Sequence, residues 1–271
     1  MHLTKLCDAR PERGEGWGTQ TLTDLSWLID AELGDSEQGA VARMTIEAGG
    51  AQEPHRHPDS EEITLVLEGS GTALIDGAWQ ATEAGNLLYA PAGSIHALAA
   101  GADGLDAIVV LSATSAAAAG WELAGLSHGA PSARGARLLS GRETDEIELD
   151  DAPSGFLGMN ARWLADESIC GTSRILVGNS RFAPGRGAHE LHRHPKGAEF
   201  FVVLSGEGAQ LEPDGTEVPV EVGEMVLVPR GSWHGFRNVG TEEVHAVFGF
   251  LGATSLEGAG YELPEFARSG S

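Results

Sequence analysis

The sequence predicts an all-β protein made of two tandem, homologous units, each a β-sandwich or β-barrel. Three observations carry that prediction. An ordered set of matching segments recurs once along the chain. Short apolar runs are separated by Gly, Pro and Asp turns, the pattern of small sandwiches and barrels. Sustained 3.6-residue periodicity, the mark of amphipathic helices, is weak.

The repeat is explicit. His55-Arg56-His57-Pro58 returns as His192-Arg193-His194-Pro195, 137 residues later, with Glu62 and Gly69 returning as Glu199 and Gly206 at the same offset. Gly85, Pro91, Gly93 and His96 return as Gly223, Pro229, Gly231 and His234, 138 residues on. Residues 111–123 (LSATSAAAAGWEL) return as 251–263 (LGATSLEGAGYEL), and Trp27-Leu28 with Asp30 matches Trp163-Leu164 with Asp166. Preserved order with a slowly drifting offset implies two homologous halves. The expected division is an N-terminal unit over 1–125, a linker over 126–150 rich in Gly, Ser and charge, and a C-terminal unit over 151–271. Within the halves, 62–67 and 199–204, then 107–111, 224–228 and 244–250, read as strands. The neighbourhoods of Trp27 and Trp163 read as either a short helix or an entry strand.

Composition narrows the function classes. The 271 residues carry a formal net charge of −23, which would repel a polyphosphate backbone or an anionic membrane, so neither nucleic acid nor membrane is expected as a partner. Cys7 and Cys170 form no CxxC pair and are too few for a disulfide framework, which fits a reducing, cytoplasmic setting. The polar N-terminus lacks the apolar core of a secretory signal, and no apolar run is long enough to span a bilayer.

Six of the ten histidines fall at repeated positions. Residues two apart in a strand share a face, so His55 with His57, and His192 with His194, can chelate one ion each. Glu62 and Glu199 open the following strand after a short turn. His96 and His234 follow a Pro-x-Gly turn and can supply a third imidazole. Three neutral imidazoles and one carboxylate suit Fe, Mn, Ni, Co or Zn, one divalent ion per half. Two coordination positions of a six-coordinate ion would stay open, as catalytic sites require.

These spacings resemble the two cupin motifs. Gly49-x5-His55-x-His57-x4-Glu62-x6-Gly69 looks like the first and Gly85-x5-Pro91-x-Gly93-x2-His96 like the second. His192-x-His194-x4-Glu199-x6-Gly206 and Gly223-x5-Pro229-x-Gly231-x2-His234-x3-Asn238 match the same pair, so the chain is similar to a bicupin. Departures are small: Arg186 stands between Gly185 and Gly187, and Ala100 replaces the terminal Asn in the first half. The resemblance implies two antiparallel double-stranded β-helix (jelly-roll) barrels, a metal pocket in each, and a homodimer or larger homo-oligomer.

Other positions are read with alternatives open. Counting by twos from the glutamates turns Thr64 and Val66, and Phe201 and Val203, inward. With Ile95 beside His96 but Trp233 and Phe236 beside His234, the C-terminal pocket is either more aromatic and suited to a planar substrate, or simply packed with larger side chains. Arg56 and Arg193 read as surface ion-pair partners. Arg43 and Arg181 are either outward-facing or an inward clamp for a substrate carboxylate. His189 is a pocket-rim or exposed residue, and His245 a core histidine of the second unit. His2 and His128 fall in tail and linker.

The expected function is a metal-dependent dioxygenase of a small enolisable or phenolic molecule, with Glu62 or Glu199 accepting the substrate proton. A non-oxidative isomerase, cyclase or decarboxylase is the alternative. A non-enzymatic small-molecule binder is the third.

Overall fold

A computed structural model describes residues 2–4, 9–11, 21–34, 36–75, 77–124 and 135–264. Cys7, Trp17 and His128 lie outside the described residues. Among the described residues nearly all regular structure is antiparallel strand, gathered into a 10-stranded sheet built largely from the first half and an 11-stranded sheet built largely from the second. The helical segments are single turns, Ala116–Ala119, Ala152–Ser154 and Leu256–Ala259.

Alternation makes the strands. Along Ala40–Ala51, Ala42, Met44 and Ile46 are buried while Thr45 and Glu47 face solvent, the period of two that a one-sided sheet demands. Glu62–Ile75 runs beside His96–Leu111 from Glu62↔Leu111 to Ile75↔His96. In the second half the same path is divided. Ala198–Ser205 pairs with Val244–Leu251, and Gly208–Leu211 pairs with His234–Asn238. Trp27 and Trp163 both lie in strands, Thr21–Ile29 and Phe156–Ala165, which settles the helix-or-strand alternative.

The halves exchange their leading strands. His2–Thr4 pairs with Met225–Val228 of the second sheet, and Arg137–Ser140 pairs with Asn86–Ala90 of the first. The stretch 126–150, expected as linker, therefore holds Arg137–Ser140 and also Glu146–Asp151, which pairs with Phe156–Ala165. Its Gly and Ser content masked two short strands, one of which, Arg137–Ser140, has its partner far away in sequence.

Each sheet buries one face and part of the other. One face lines a barrel interior, where Val66 packs with Trp27 and Met44, and Val203 with Phe182 and Phe236. The other face joins a core shared by both halves. There Ile63, Leu65 and Val110 meet Val177, Phe200, Val202 and Val247. Polar clamps cross the same boundary. The Glu61 carboxylate accepts hydrogen bonds from Thr172 Oγ1 (2.8 Å), Ser173 Oγ (2.6 Å) and the Ser173 amide. Gln38 accepts from the Ala198 amide (2.8 Å) and donates to the Lys196 carbonyl (3.0 Å).

Candidate metal centres

The structure brings all eight expected side chains into two clusters. His55, His57, Glu62 and His96 form one, and His192, His194, Glu199 and His234 the other; in each, four potential ligand atoms lie within 4.8 Å of one another. Strand pairing sets them there, because His55 stands opposite His96 and His192 opposite His234. A turn aims the last histidine of each set. Ser94 N–H bonds the Pro91 carbonyl (2.9 Å) and Ser232 N–H the Pro229 carbonyl (3.1 Å), with Gly93 and Gly231 at φ +78°. A positive φ at the third turn position is why Gly stands there. The same glycines donate N–H to the carbonyls of His57 (2.8 Å) and His194 (2.7 Å), locking the two motifs together.

Hydrogen bonds fix the form of every imidazole. Nδ1 of His55, His96, His192 and His234 each reaches the carbonyl two residues earlier (2.7–2.9 Å). Nδ1 of His57 reaches the Gly120 carbonyl and Nδ1 of His194 the Gly260 carbonyl, both at 2.6 Å. A carbonyl oxygen only accepts, so each Nδ1 carries a proton, and a ring in its neutral form turns an Nε2 lone pair inward. Nε2 of His55, His96, His192 and His194 is buried without a hydrogen-bond partner. His57 Nε2 stands 3.0 Å from a Glu62 oxygen, and His234 Nε2 2.7 Å from a Glu199 oxygen. Lone pairs facing a carboxylate at such distances require positive charge between them. A proton would satisfy one pair, whereas a divalent cation satisfies all four donors at once, so the residues present fit a metal ion.

The electrostatics divide the imidazoles: against burial, Glu62 raises His96 and Glu199 raises His194. Burial would raise the Glu62 carboxyl, but the His96 and His57 imidazoles reverse this and hold it well below the ordinary carboxylate range. Burial likewise opposes ionisation of Glu199, and the adjacent His192, His194 and His234 imidazoles overcome it. Burial, reinforced by neighbouring imidazoles, lowers His55 and brings His192 down to about 4, keeping both in the neutral, ligating form.

Sequence reasoning noticed the repeated segments 111–123 and 251–263 but gave them no role in the site. They supply its outer support. Ser115 and Ser255 cap one helical turn each through their hydroxyls, and Gly120 and Gly260 end those turns with the carbonyls that hold His57 and His194. The next residue folds over the cluster. Trp121 stacks on His55 at 3.7 Å and 15°. Tyr261, in the same place, leaves room for His189, which stacks on His192 at 3.6 Å with Phe156 on its other side at 4.5 Å. The Tyr261 hydroxyl donates to the Ser154 carbonyl (2.6 Å) and so accepts from His189 Nε2–H (3.1 Å). The signal was the paired Ser-x4-Gly spacing ahead of an aromatic residue.

The surroundings of the two clusters differ. Thr64 donates to Glu62 (2.6 Å) and pins its carboxylate; Phe201 stands at that place beside Glu199. Phe182, Phe201, Phe236, Phe248 and Phe250 line a cavity of about 120 Å³ that reaches His192, Glu199 and His234. The C-terminal pocket is therefore lined largely by aromatic rings. Trp233 does not contribute to it, because Arg193 covers its ring at 4.7 Å. Arg56 and Arg193 pair with Glu122 and Glu262, each at 2.7 Å from Nε. The carboxylate-clamp alternative fails for both other arginines: Arg43 bonds Asp106 and Arg181 bonds Glu243 (3.1 Å), outside the barrels. His189 lines the cavity. His245 lies instead in a groove with Arg142, Arg162 and Arg181, because it alternates with the inward-facing Ala246.

Fold and clusters together define a protein of two fused β-barrels, each with a His/His/Glu/His set that could hold one metal ion. The chain belongs to the cupin family: the model described as "Cupin domain" matches residues 42–112 and 178–250, once in each half, which makes this a bicupin. Polyketide synthase CurC of Streptomyces cyaneus is 31% identical over 107 residues, 40% of this chain and 67% of that protein. Gentisate 1,2-dioxygenase of Ralstonia sp is 35% identical over 78 residues, 29% of this chain and 21% of that protein. Among solved structures, oxalate decarboxylase from Bacillus subtilis superposes with a TM-score of 0.70 at 18% identity, over 93% of this chain and 76% of that one. That likeness shows the shared fold. Among the described residues no helix is long and apolar enough to cross a membrane.

Proposed function

We propose that each His/His/Glu/His set holds one divalent transition metal ion through three Nε2 atoms and one carboxylate. We propose further that the protein is a dioxygenase of a small enolisable or phenolic substrate. The observation that carries the reading is the row of buried Nε2 lone pairs, four without a hydrogen-bond partner, turned toward an ionised glutamate. In the second barrel that set also opens onto an aromatic cavity. When bound, the metal supplies Lewis acidity toward a substrate oxygen and, if redox-active, electron exchange with dioxygen.

The chain's own residues do the rest. His192, His194 and His234 hold fixed donors, since their Nδ1 atoms are tied to backbone carbonyls. Glu199 is ionised and lacks the threonine that pins Glu62, so it can accept a hydroxyl or enol proton. Phe201, Phe236, Phe248 and Phe250 keep water from the reacting face. The name of the gentisate dioxygenase relative supports chemistry on a phenolic ring. The same reading puts the protein in the reducing cytoplasm, as a homodimer or larger homo-oligomer with a small-molecule substrate.

A second reading has its own support. The polyketide synthase relative points to enolisable carbonyl chemistry without dioxygen, an isomerisation, cyclisation or decarboxylation. Metal analysis comes first: protein purified without added metal should carry two equivalents, and His55→Ala and His192→Ala should each lose one. Oxygen-electrode assays with iron- and manganese-loaded protein, using phenolic and 1,3-dicarbonyl probes, then decide. Uptake coupled to substrate loss supports the dioxygenase. Turnover in sealed anaerobic vials assigns the second reading, and metal-loaded protein that turns over nothing in either assay overturns both.

A further inference from the structure

The two barrels share a backbone plan, so matching interior positions can be compared through their strand partners. Met44 faces Ala107 and Ser180 faces Ala246, making Ser180 the counterpart of Met44. Ala73 faces Leu98 and Gln210 faces Phe236, making Gln210 the counterpart of Ala73. In the first barrel the one interior amide nearby is satisfied: Gln52 accepts from the Leu98 amide (2.9 Å) and meets Met44 Sδ at 3.1 Å. In the second barrel, Ser180 and Gln210 are each only 2% exposed, both line the cavity, and Ser180 Oγ and Gln210 Nε2 have no hydrogen-bond partner in the protein.

Burying a hydroxyl and an amide unpaired costs about 1–3 kcal/mol each in a folded protein. Two such groups in one otherwise aromatic cavity, absent from the twin barrel, point to a guest that pairs with them. Ser180 faces Ala246, four residues along its strand from Phe250, and Phe250 faces Glu199. At about 3.4 Å per residue, that places Ser180 about 14 Å of strand away from the glutamate, while Gln210 faces Phe236, about 7 Å of strand from His234. A guest therefore meets the His/Glu set at one edge, then Gln210 along its side, and Ser180 farthest away. The cavity of about 120 Å³ is of single-ring size, judged against an engineered cavity of about 150 Å³ that accepts benzene. Its lining holds no arginine or lysine, so an anion at the far edge would be buried uncompensated.

We infer that the C-terminal barrel, rather than its twin, is the substrate site, and that it selects a flat single-ring compound carrying a neutral oxygen on the edge facing Gln210 and Ser180. Those two are specificity-determining residues. The inference deepens the functional reading above and rests on it for the metal-facing edge only.

The test is calorimetric titration of zinc-loaded protein under argon with hydroquinone, phenol and terephthalate. Zinc stoichiometry is measured first, so failed metal loading, which sinks the functional reading, is separable from failed ligand selection. Hydroquinone should bind once per chain and about 10-fold tighter than phenol, the worth of one neutral hydrogen bond. Gln210→Leu should erase that gap while leaving phenol within twofold. Ser180→Met, which copies the first barrel's side chain into the cavity, should abolish both while the thermal midpoint confirms folding. Terephthalate presents an anion to Gln210 whichever way it enters and should bind more weakly than hydroquinone. Two hydroquinones per chain, no hydroquinone binding, an unchanged gap in Gln210→Leu, or terephthalate binding more tightly than hydroquinone would each overturn the inference.

Discussion

Replacing Phe200 with Ala tests whether the two barrels are one folding unit. Phe200 is fully buried in the core shared by both halves, with its ring against Gly249, where an added Cβ would come within 2.4 Å of it. Removing such a ring costs about 3–5 kcal/mol, transfer and cavity combined. An unfolding entropy of about 2.1 cal/mol/K per residue over 271 residues gives about 0.57 kcal/mol/K, hence a fall in midpoint of about 5–9 °C. The exchange of leading strands and the common core predict that the first barrel, which the mutation leaves intact in sequence, melts at the same lowered temperature. Differential scanning calorimetry with metal-release readouts for both centres checks this. Two resolved transitions, with the first barrel unmoved, would refute the claim that the halves share one core.

Ser255→Ala removes the cap of the turn whose Gly260 carbonyl holds His194; it should cost about 1 kcal/mol and speed chelator removal of one metal equivalent of two, and equal loss from both centres would contradict the assignment. Glu61→Ala deletes the charged acceptor that clamps Thr172 and Ser173 across the barrels and should lower stability by about 1.5–3 kcal/mol in urea titration without changing metal content. Burial pushes the Cys170 thiol from 9.0 up to about 11. The folded state holds that proton more tightly than the unfolded one, so the stabilisation is complete below pH 9 and disappears as pH rises from 9 to 11. In a Cys7→Ser background, Cys170 should therefore resist iodoacetamide at pH 8 until urea unfolds the chain; rapid labelling of the native protein would contradict its burial.

The site was largely legible because its chemistry is written in spacing. His-x-His followed by Glu at a fixed distance needs only a strand and a short turn to converge, and both clusters formed as the residues implied. The exchanged strands were not legible in the same way. Arg137–Ser140 carries two leucines amid Gly, Ser and charge, and only its pairing with Asn86–Ala90, some fifty residues upstream, makes it a strand. The carbonyls that set the tautomers were also hidden, since a backbone acceptor such as that of Gly260 leaves no trace in side-chain identity. Inward counting by twos found Thr64 and Phe201 correctly. It missed Ser180 and Gln210 because their importance is relative, visible only against Met44 and Ala73 in the twin barrel.

That comparison also shows how one fold keeps a metal set while changing what surrounds it. Val109 faces Ala42 in the first barrel, and Phe248 faces Gly178 in the second. A Cβ on Gly178 would come within 2.6 Å of the Phe248 ring, so the larger ring requires the smaller partner. Volume is thus moved from the wall into rings that face the cavity, and the backbone carrying His192, His194, Glu199 and His234 need not shift. Ligand geometry depends on strand register and turn glycines, whereas cavity shape depends on side-chain volume. The two are separable, so the second barrel can acquire an aromatic chamber with polar groups at its far edge while its donor set stays superimposable in kind on the first.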